Sequence, residues 1–491
     1  MRTPRLVSAT YAPGRYARTP VLGAGARHLV TRFSYGVTPE LTAEVKAAGG
    51  GMAWFREQLA TADSARAEAL ADWWPDLHRG PADLWQRQIT DVRGTWEVMY
   101  DYARRAMARR ITSRQQVLEV MTEFWEGHLH VPAIGDAQAV WRAPYGEIMR
   151  RHALGRFDEM LVEAITHPSM LIFLDGATST KAHPNENLGR ELLELHTLGV
   201  GNYTEDDVKA SARILTGYRV DLWRTWAATY RPEDHWTGPV QVAGFSHDNA
   251  AADGREVVRA YLVHLAHHPA TARRIARKLA LRFVSDTPSD ALVERLAATY
   301  LANDTAIKPV LMKLVNSREF RTSRRTKLRD PAEDVVATYR ALGLPLEPPS
   351  DGEAAANAMI WQSETIGLKP FAWPRPDGQP LTNAAWDSPA RALASMAMHW
   401  SMSGGWWPEH GTTYKKPTEW VPEFPIVFRD LVDHMARRVH ARPSSASLLQ
   451  GACTATGIAP DATITADHAL MKWHFPRLLA ALLDHPDHYL R

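Results

Sequence analysis

Carboxylates and one arginine are concentrated in a single short segment, residues 185–196. At about 100° per residue around an ideal helix, Glu186, Arg190 and Glu194 fall within one sector, with Glu191 at its edge. An adjacent guanidinium lowers the pKa of one carboxyl group, whereas a neighbouring carboxylate raises the pKa of another. This spacing is typical of a general acid and general base pair, and it predicts these four residues as the catalytic set.

Paired carboxyl groups of this kind cleave glycosidic bonds, where one group protonates the leaving oxygen and the other acts as base or nucleophile. The first functional hypothesis is thus a carboxylate-based hydrolase acting on a glycan or glycoside, with Asn185 and Asn187 as substrate-binding neighbours. A small-molecule or glycan substrate is the partner it implies, and no cofactor is expected. The simpler alternative stays open, because Glu–Arg ladders at this spacing decorate many exposed helices and contribute only ~0.2–0.5 kcal/mol per pair.

Imidazoles and carboxylates around residue 128 suggest a different chemistry. A predicted helix ends near Gly127, and if the chain extends there, Glu126, His128 and His130 point to one side. Carboxylate and imidazole ligands suit a divalent metal such as zinc, iron or manganese, and His196 could complete the set. The second hypothesis is therefore a metal-dependent enzyme such as an oxidoreductase. Against it, His128 could be an ordinary core residue, with Glu126 and the glutamates one and two turns earlier facing water.

Aromatic residues and a His-Asp pair supply further ligand-binding candidates. The chain has 18 tryptophans, and Trp406 and Trp407 are flanked by glycine and proline instead of lying on an apolar helical stripe. This setting favours stacking on a flat ligand. His247 precedes Asp248 in a predicted loop, where it could act as a base. We predict Trp406, Trp407 and His247 as substrate-binding residues.

A third hypothesis involves no catalysis. Residues 185–199 could form a buried polar network that fixes helix packing in a binding or assembly protein, because fully satisfied networks specify a single core. Such a protein would have every polar side chain of the segment bonded to protein and no cleft beside it. The hydrolase and the metal-dependent enzyme both require, in contrast, a solvent-accessible cavity.

The elements that position these residues are predicted to be helices. Helical periodicity dominates to about residue 345. Capping patterns mark helix starts at Thr38, at Ser113-x-x-Gln116 and at Thr204-x-x-Asp207. Residues 218–242 fit a short hairpin or a long loop. The predicted fold is a mainly α, multi-helix globular bundle with long Pro/Gly/Trp-rich loops and at most a small β-hairpin.

Shifts in composition predict three parts of the chain. Residues 1–24 contain several prolines and predict an extended N-terminal arm, and residues 25–345 predict a helical core that carries the 185–199 motif. Prolines exclude a helix over 370–380. Residues 346–491 are therefore predicted to form a loop-rich and helical C-terminal part that packs on the core as one unit.

Charge and cysteine content exclude several classes of function. The 491 residues include 57 basic and 55 acidic side chains, a formal net charge of +2, so neither nucleic acid nor a membrane is expected as a partner. Basic runs such as Arg324-Arg325 are interpreted as solvated helix faces. The single cysteine excludes an intramolecular disulfide and a thiolate zinc site. Because no signal peptide or membrane segment is evident, a cytoplasmic location is expected.

Several blocks of the sequence together match one family pattern. They are residues 27–39, 124–130 and 184–200, residues 203–204 with 212–217, the His247-Asp248 pair, and residues 276–279 with 283–286. On these blocks the chain resembles the DUF1800 family of bacterial proteins, a resemblance that implies no established chemistry. Two features depart from the family. Its members usually carry His-Asn-His after the Phe-Trp pair, where this chain has Glu126-Gly127-His128. Many of them resemble exported proteins, whereas no signal peptide is evident in this sequence.

Overall fold

The computed structural model describes Tyr11, Pro13, Tyr16 and residues 19–60 and 70–491. Most of the predicted arm, residues 1–24, lies outside this described part. The tyrosines of the arm that are described contact the C-terminal part of the chain, where Tyr16 donates a 2.6 Å hydrogen bond to Glu423. The first helix begins at Ala24.

Helices form most of the N-terminal half. They are α1 (Ala24–Arg32), α2 (Pro39–Ala47), α3 (Gly51–Ala60), α4 (Pro81–Ile89), α5 (Thr95–Thr112), α6 (Gln116–His128), α7 (Asp136–His152), α8 (Phe157–Ile165) and α9 (Pro168–Phe173).

The predicted cap of α2 is confirmed, since the Thr38 hydroxyl accepts a 3.1 Å bond from the backbone N–H of Leu41. The predicted cap at Ser113 is wrong. Ser113 ends α5, and the Gln116 side chain donates back to the Ser113 carbonyl at 2.8 Å, closing the preceding helix.

The middle of the chain carries one interruption of regular helix. Its elements are α10 (Glu186–Glu191), a π-helical turn (Leu192–His196), α11 (Glu205–Ile214), α12 (Arg255–His267), α13 (Pro269–Phe283), α14 (Asp290–Ala302), α15 (Ile307–Val315) and α16 (Arg318–Thr322). The capping box at the start of α11 is confirmed, because Thr204 and Asp207 each bond the other's backbone N–H.

The C-terminal part alternates helices with irregular loops. Its helices are α17 (Pro331–Leu342), α18 (Ala355–Ile366), α19 (Pro389–Ser403), α20 (Phe428–Val439), α21 (Ala446–Thr456), a second π-helical turn (Leu470–His474), α22 (Phe475–Leu483) and α23 (Pro486–Tyr489). Short 3-10 turns occur along the chain at Leu70–Trp73, Pro75–His78, Gly176–Thr178, Pro232–Asp234, Asn383–Ala385 and Pro417–Trp420. No described helix has both the length and the apolar character needed to cross a bilayer.

Strands are few and short, which confirms the mainly α prediction. Three antiparallel two-stranded sheets pair β1 (Tyr218–Val220) with β2 (Ala228–Tyr230), β3 (Val240–Val242) with β4 (Phe245–His247), and β5 (Ile426–Val427) with β6 (Thr463–Ile464). Opposite residues include Tyr218 and Tyr230, and Ile426 and Ile464. The sequence indicated a short hairpin or a long loop over 218–242. β1 and β2 form a hairpin within this range, and a second hairpin of β3 and β4 begins at its end and extends to His247. The partners in β5 and β6 are too far apart along the chain for a local signal.

The core is one connected set of buried apolar side chains drawn from both the 25–345 and the 346–491 parts. Two helices at its centre, α6 and α17, are buried on nearly every side although both carry carboxylates. The interpretation that the glutamates of α6 face water is wrong. Glu119, Glu123 and Glu126 are 3%, 7% and 1% exposed, because arginines from neighbouring helices neutralise each of them. Their arginine partners are Arg150, Arg110 with Arg282, and Arg142 respectively.

Candidate functional site

The 185–196 segment is a helix only in its first half. The Asn185 side chain caps α10 by accepting a 2.8 Å bond from the backbone N–H of Asn187. From Leu192 to His196 the backbone forms a π-helical turn, whose hydrogen bonds span five residues where those of an α-helix span four. Glu194 therefore does not continue the stripe of Glu186 and Arg190 that uniform helical spacing predicts. Such turns occur frequently at functional sites.

The first half of the segment faces solvent. Arg190 binds both carboxylate oxygens of Glu205, at 2.7 and 2.6 Å, and lies 3.8 Å from Glu186. Glu186 and Asn187 are exposed, and the Asn187 amide donates to Asp175 at 3.1 Å. The Arg190 guanidinium is thus held toward Glu205, and this half of the segment has the contacts of an exposed charge ladder.

The second half of the segment turns inward. Glu191 and Glu194 are both half-buried, and the Tyr203 hydroxyl donates to the Glu194 carboxylate. Burial raises the pKa of Glu191, and the negative charges of Glu194 and Asp377 raise it further. Glu191 is therefore the carboxyl group of this segment that is set up to hold a proton.

A cleft of about 320 Å³ lies near this inward-facing half: Asp377, whose charge acts on Glu191, lines it, whereas none of residues 185–196 does. It is formed by the end of α6, one face of α13 and the loop of residues 377–382. The loop approaches α6 so closely that a Cβ on Gly378 would lie 1.8 Å from the carbonyl oxygen of Gly127, and Gly378 has a φ of +75°. Only glycine fits this backbone contact, which holds the loop over the cleft.

Lys278 lines the cleft from α13. Its side chain is half-buried and makes no hydrogen bond or ion pair with any residue that the structure describes. Burial, reinforced by the positive charge of Arg274, lowers the pKa of Lys278 to about 7. The cleft therefore contains an amine that titrates near neutral pH. Such a shift is typical of functional lysines.

Two buried histidines contact each other at the end of α6, and one of them, His128, lines the cleft. The Nε2–H of His128 donates to the His196 carbonyl at 3.1 Å, and the Nδ1–H of His196 donates to the His128 carbonyl at 3.0 Å. Burial lowers the pKa of both rings, to about 3 for His196, so both are neutral. The remaining nitrogens, Nδ1 of His128 and Nε2 of His196, are buried lone pairs with no partner in the described part of the chain.

The predicted fan of metal ligands does not form around His130. Its Nδ1 faces the Glu126 carbonyl at 3.1 Å and its Nε2 faces the Trp373 carbonyl at 2.7 Å, so both ring nitrogens are engaged. Among the described residues, three groups of His, Asp and Glu side chains converge closely enough to hold a metal ion, and none contains His128, His130 or His196. A divalent metal at these histidines stays a prediction.

The mouth of the cleft carries an aromatic and charged cluster. The Asp377 carboxylate is exposed and accepts a 2.8 Å bond from the Trp373 indole N–H. Arg375 pairs with Asp377 at 3.2 Å and lies over the Trp373 ring, 5.0 Å from its centroid. This loop therefore presents a carboxylate of fixed orientation next to an aromatic ring.

The other predicted binding residues lie elsewhere. Trp406 is 49% exposed and packs edge-on against Trp400, whereas the Trp407 indole donates to Glu353 at 2.9 Å. His247 is exposed on β4, where its Nδ1 accepts a 2.8 Å bond from the backbone N–H of Asn249. None of these side chains lines the cleft.

Lys278 and Asp377 are the functional candidates that the sequence did not reveal. In the sequence, Lys278 is one cation among the arginines of an amphipathic helix, and its place beside the 377–382 loop is a tertiary feature that the sequence does not show. Asp377 precedes a glycine in a proline-rich segment, a pattern that indicates a turn. That turn was the one available signal that a functional loop could lie there.

Fold and site together define a mainly α-helical protein with a cleft that carries titratable carboxyl, amine and imidazole groups. The chain belongs to the DUF1800 family, whose members are described as proteins of unknown function and whose pattern matches residues 28–490. The resemblance seen in the sequence is thereby confirmed. No curated protein and no solved structure matches the chain.

Proposed function

We propose that this protein is a hydrolase that cleaves a glycan or glycoside at the cleft, with Glu191 as general acid and Asp377 as its carboxylate partner. The main supporting observation is that Glu191 is half-buried and has a raised pKa, to which the negative charge of Asp377 contributes. Asp377 is itself exposed and lines the cleft. Glycoside hydrolysis requires two carboxyl groups whose surroundings separate their pKa values.

Each carboxyl group has a role that follows from its surroundings. Glu191 keeps its proton to higher pH than an ordinary carboxyl group, because burial and the charges of Glu194 and Asp377 disfavour its ionised form. It would donate that proton to the leaving oxygen. Asp377, oriented by Trp373, would act as base or nucleophile. Glu194 is a positioning residue, because it acts through its charge on Glu191.

The surroundings of the pair suit a polar, ring-shaped substrate. The Trp373 indole beside Asp377 offers an aromatic surface for stacking on a sugar ring. Lys278 and Gln379 line the cleft and can donate hydrogen bonds to hydroxyl groups. The cavity is near the lower end of the range of about 300–1,000 Å³ that small-molecule sites occupy.

The test is hydrolysis of a panel of aryl glycosides and oligosaccharides by the wild type, Glu191→Gln and Asp377→Asn. We expect kcat to fall by about 10²–10⁴-fold in each variant, as the loss of a general acid or base does. Glu186→Gln is the matched control, since Glu186 lies on the same helix but is exposed and near Arg190. Its kcat should equal that of the wild type.

Circular dichroism and thermal unfolding would establish that all three variants are folded. Wild-type kcat in both Glu191→Gln and Asp377→Asn would refute the roles assigned to these residues. A wild type that binds the oligosaccharides without cleaving them would refute the hydrolase and favour a carbohydrate-binding protein instead. A wild type that neither binds nor cleaves any member of the panel would remove the glycan from consideration.

A further inference from the structure

A second cavity, of about 140 Å³, lies between the start of α1, the segment after α16 and the C-terminal helices. We call it the arginine cavity because of the guanidinium groups in its lining, which belong to Arg27, Arg324, Arg325, Arg442 and Arg491. It shares no lining residue with the cleft, so it is a separate site. The sequence alone places Arg324 and Arg325 on a solvated face.

Positive charge in this cavity exceeds what its protein partners neutralise. Asp487 is the one carboxylate side chain among its lining residues, and it binds both Arg325, at 2.8 Å, and Arg442, at 2.6 Å. The guanidinium groups of Arg27 and Arg324 form no hydrogen bond or ion pair with any residue in the described ranges. Two guanidinium groups therefore line the cavity without a counter-charge, one of them half-buried.

Two further groups in the lining are suited to an oxyanion. Helix α1 begins at Ala24 in the cavity wall, has no acidic residue in its first turn and has Gly23 as its cap, so its first backbone N–H groups are free. His440 is buried, and its Nε2–H donates to the Leu482 carbonyl at 3.0 Å. Its Nδ1 has no partner in the described chain and can accept a bond from the P–OH of hydrogenphosphate or from a hydroxyl group of a phosphate ester.

We propose that the arginine cavity binds the phosphate group of a small molecule, either inorganic phosphate or a phosphate monoester. Guanidinium forks match the oxygen geometry of phosphate and bind it bidentately. A phosphate dianion would balance the two unpaired charges of Arg27 and Arg324, whereas a single carboxylate would balance only one. The cavity volume equals that of about four or five liquid water molecules, which fits a small anion and not a nucleic acid strand.

The experiment is isothermal titration calorimetry at low ionic strength with inorganic phosphate, glycerol 3-phosphate and acetate. We expect both phosphates to bind one site and acetate not to bind. The double variant Arg27→Gln/Arg324→Gln should weaken phosphate binding by about tenfold or more, because two charged donors are lost. Arg318→Gln is the control, since Arg318 is exposed on α16 and does not line the cavity. It should bind phosphate like the wild type.

Thermal unfolding without ligand separates binding from a structural role. Because the side chains of Arg27 and Arg324 make no hydrogen bond or ion pair with the described residues, the Tm of the ligand-free double variant should not fall below that of the wild type. Tighter binding of glycerol 3-phosphate would assign the site to a phosphorylated metabolite, and tighter binding of inorganic phosphate to the free ion. No binding by the wild type at millimolar concentrations, an equal loss in Arg318→Gln, or a lowered ligand-free Tm would each overturn the proposal.

Discussion

Single buried charges decide much of the chemistry of this chain, and His399 on α19 is the clearest case. Its ring is fully buried between two carboxylates, 3.3 Å from Asp334 and 2.8 Å from Asp484. Burial alone would lower the pKa of His399, but the charge of Asp334 and the bonds to both carboxylates raise it to about 9. The same pairing holds the pKa of Asp334 well below its usual value.

Stability should therefore depend on pH through His399. The unfolded-state pKa of histidine is about 6.5, so the contribution is fully present below that pH and is lost as the pH rises through about 9. Between pH 6.5 and 9 the free energy of unfolding should fall by about 3 kcal/mol more in the wild type than in His399→Gln. Urea denaturation at both pH values measures this difference.

The control for this prediction is a histidine with a similar partner at the surface. His410 lies 3.0 Å from Asp351, but both side chains are largely exposed. His410→Gln should keep the wild-type pH dependence, because solvent screens the pair. An identical decline in His399→Gln and wild type would show that the buried imidazole does not titrate in this range.

Residue types in the sequence indicated part of this chemistry. Glu191 and Glu194 belong to the segment that the sequence marked, and the structure places both inward. Lys278 and Asp377 were missed, because their functional setting comes from a loop that folds over a helix about a hundred residues earlier. Spacing along the chain carries no information about such a contact.

Among the elements, local signals were reliable only where the partner is local. The caps at Thr38 and Thr204 were predicted correctly, because each bonds a backbone N–H three residues away. The π-helical turn was not, since two of its carbonyls accept bonds from distant side chains: Arg274 donates to Leu195 at 2.8 Å and His128 to His196 at 3.1 Å. Regular helical spacing therefore misplaced Glu194.

The loop of residues 377–382 depends on the contact between Gly378 and Gly127. Gly378→Ala should lower the free energy of unfolding by more than the ~1–2 kcal/mol that a left-handed backbone costs an alanine. The added methyl would overlap the Gly127 carbonyl, so the loop must shift. Urea denaturation checks the result. The cleft should change shape with the loop, because both glycines line it.

Gly457 provides the matched control for the conformational part of that effect. Its φ is +72°, close to the +75° of Gly378, but a Cβ added there would meet no neighbouring atom of the described chain within 4 Å. Gly457→Ala should therefore show the left-handed penalty alone. Equal losses in the two variants would mean that the loop adapts without cost to the steric overlap.

Across the whole molecule, a buried ionic network joins the central helices. Arg282 of α13 donates to Glu123 of α6 at 2.6 Å and to Glu333 of α17 at 2.7 Å. Arg110 of α5 also pairs with Glu123, at 2.8 Å, and Arg491 pairs with Glu333. This explains how two helices that carry several carboxylates can lie in the interior.

Removal of the central guanidinium should destabilise the entire fold. Arg282→Met leaves Glu123 and Glu333 close together with one fewer cation, and we expect a loss of about 3–5 kcal/mol in the free energy of unfolding. Urea denaturation measures it, with Arg273→Met as control. Arg273 lies on the same helix in an exposed pair with Glu294, which contributes less than about 1 kcal/mol. Similar effects of the two substitutions would contradict a central role for the network.

The order in which a ribosome delivers this chain has a consequence for the same network. Glu123 and Arg110 emerge almost together, whereas Arg282 follows Glu123 by 159 residues and Glu333 follows Arg282 by another 51. Until then, α6 carries carboxylates without their full set of counter-charges and cannot be sealed from water. The N-terminal helices therefore cannot complete their buried ion pairs until Arg282 has been synthesised, so this fold forms late in synthesis.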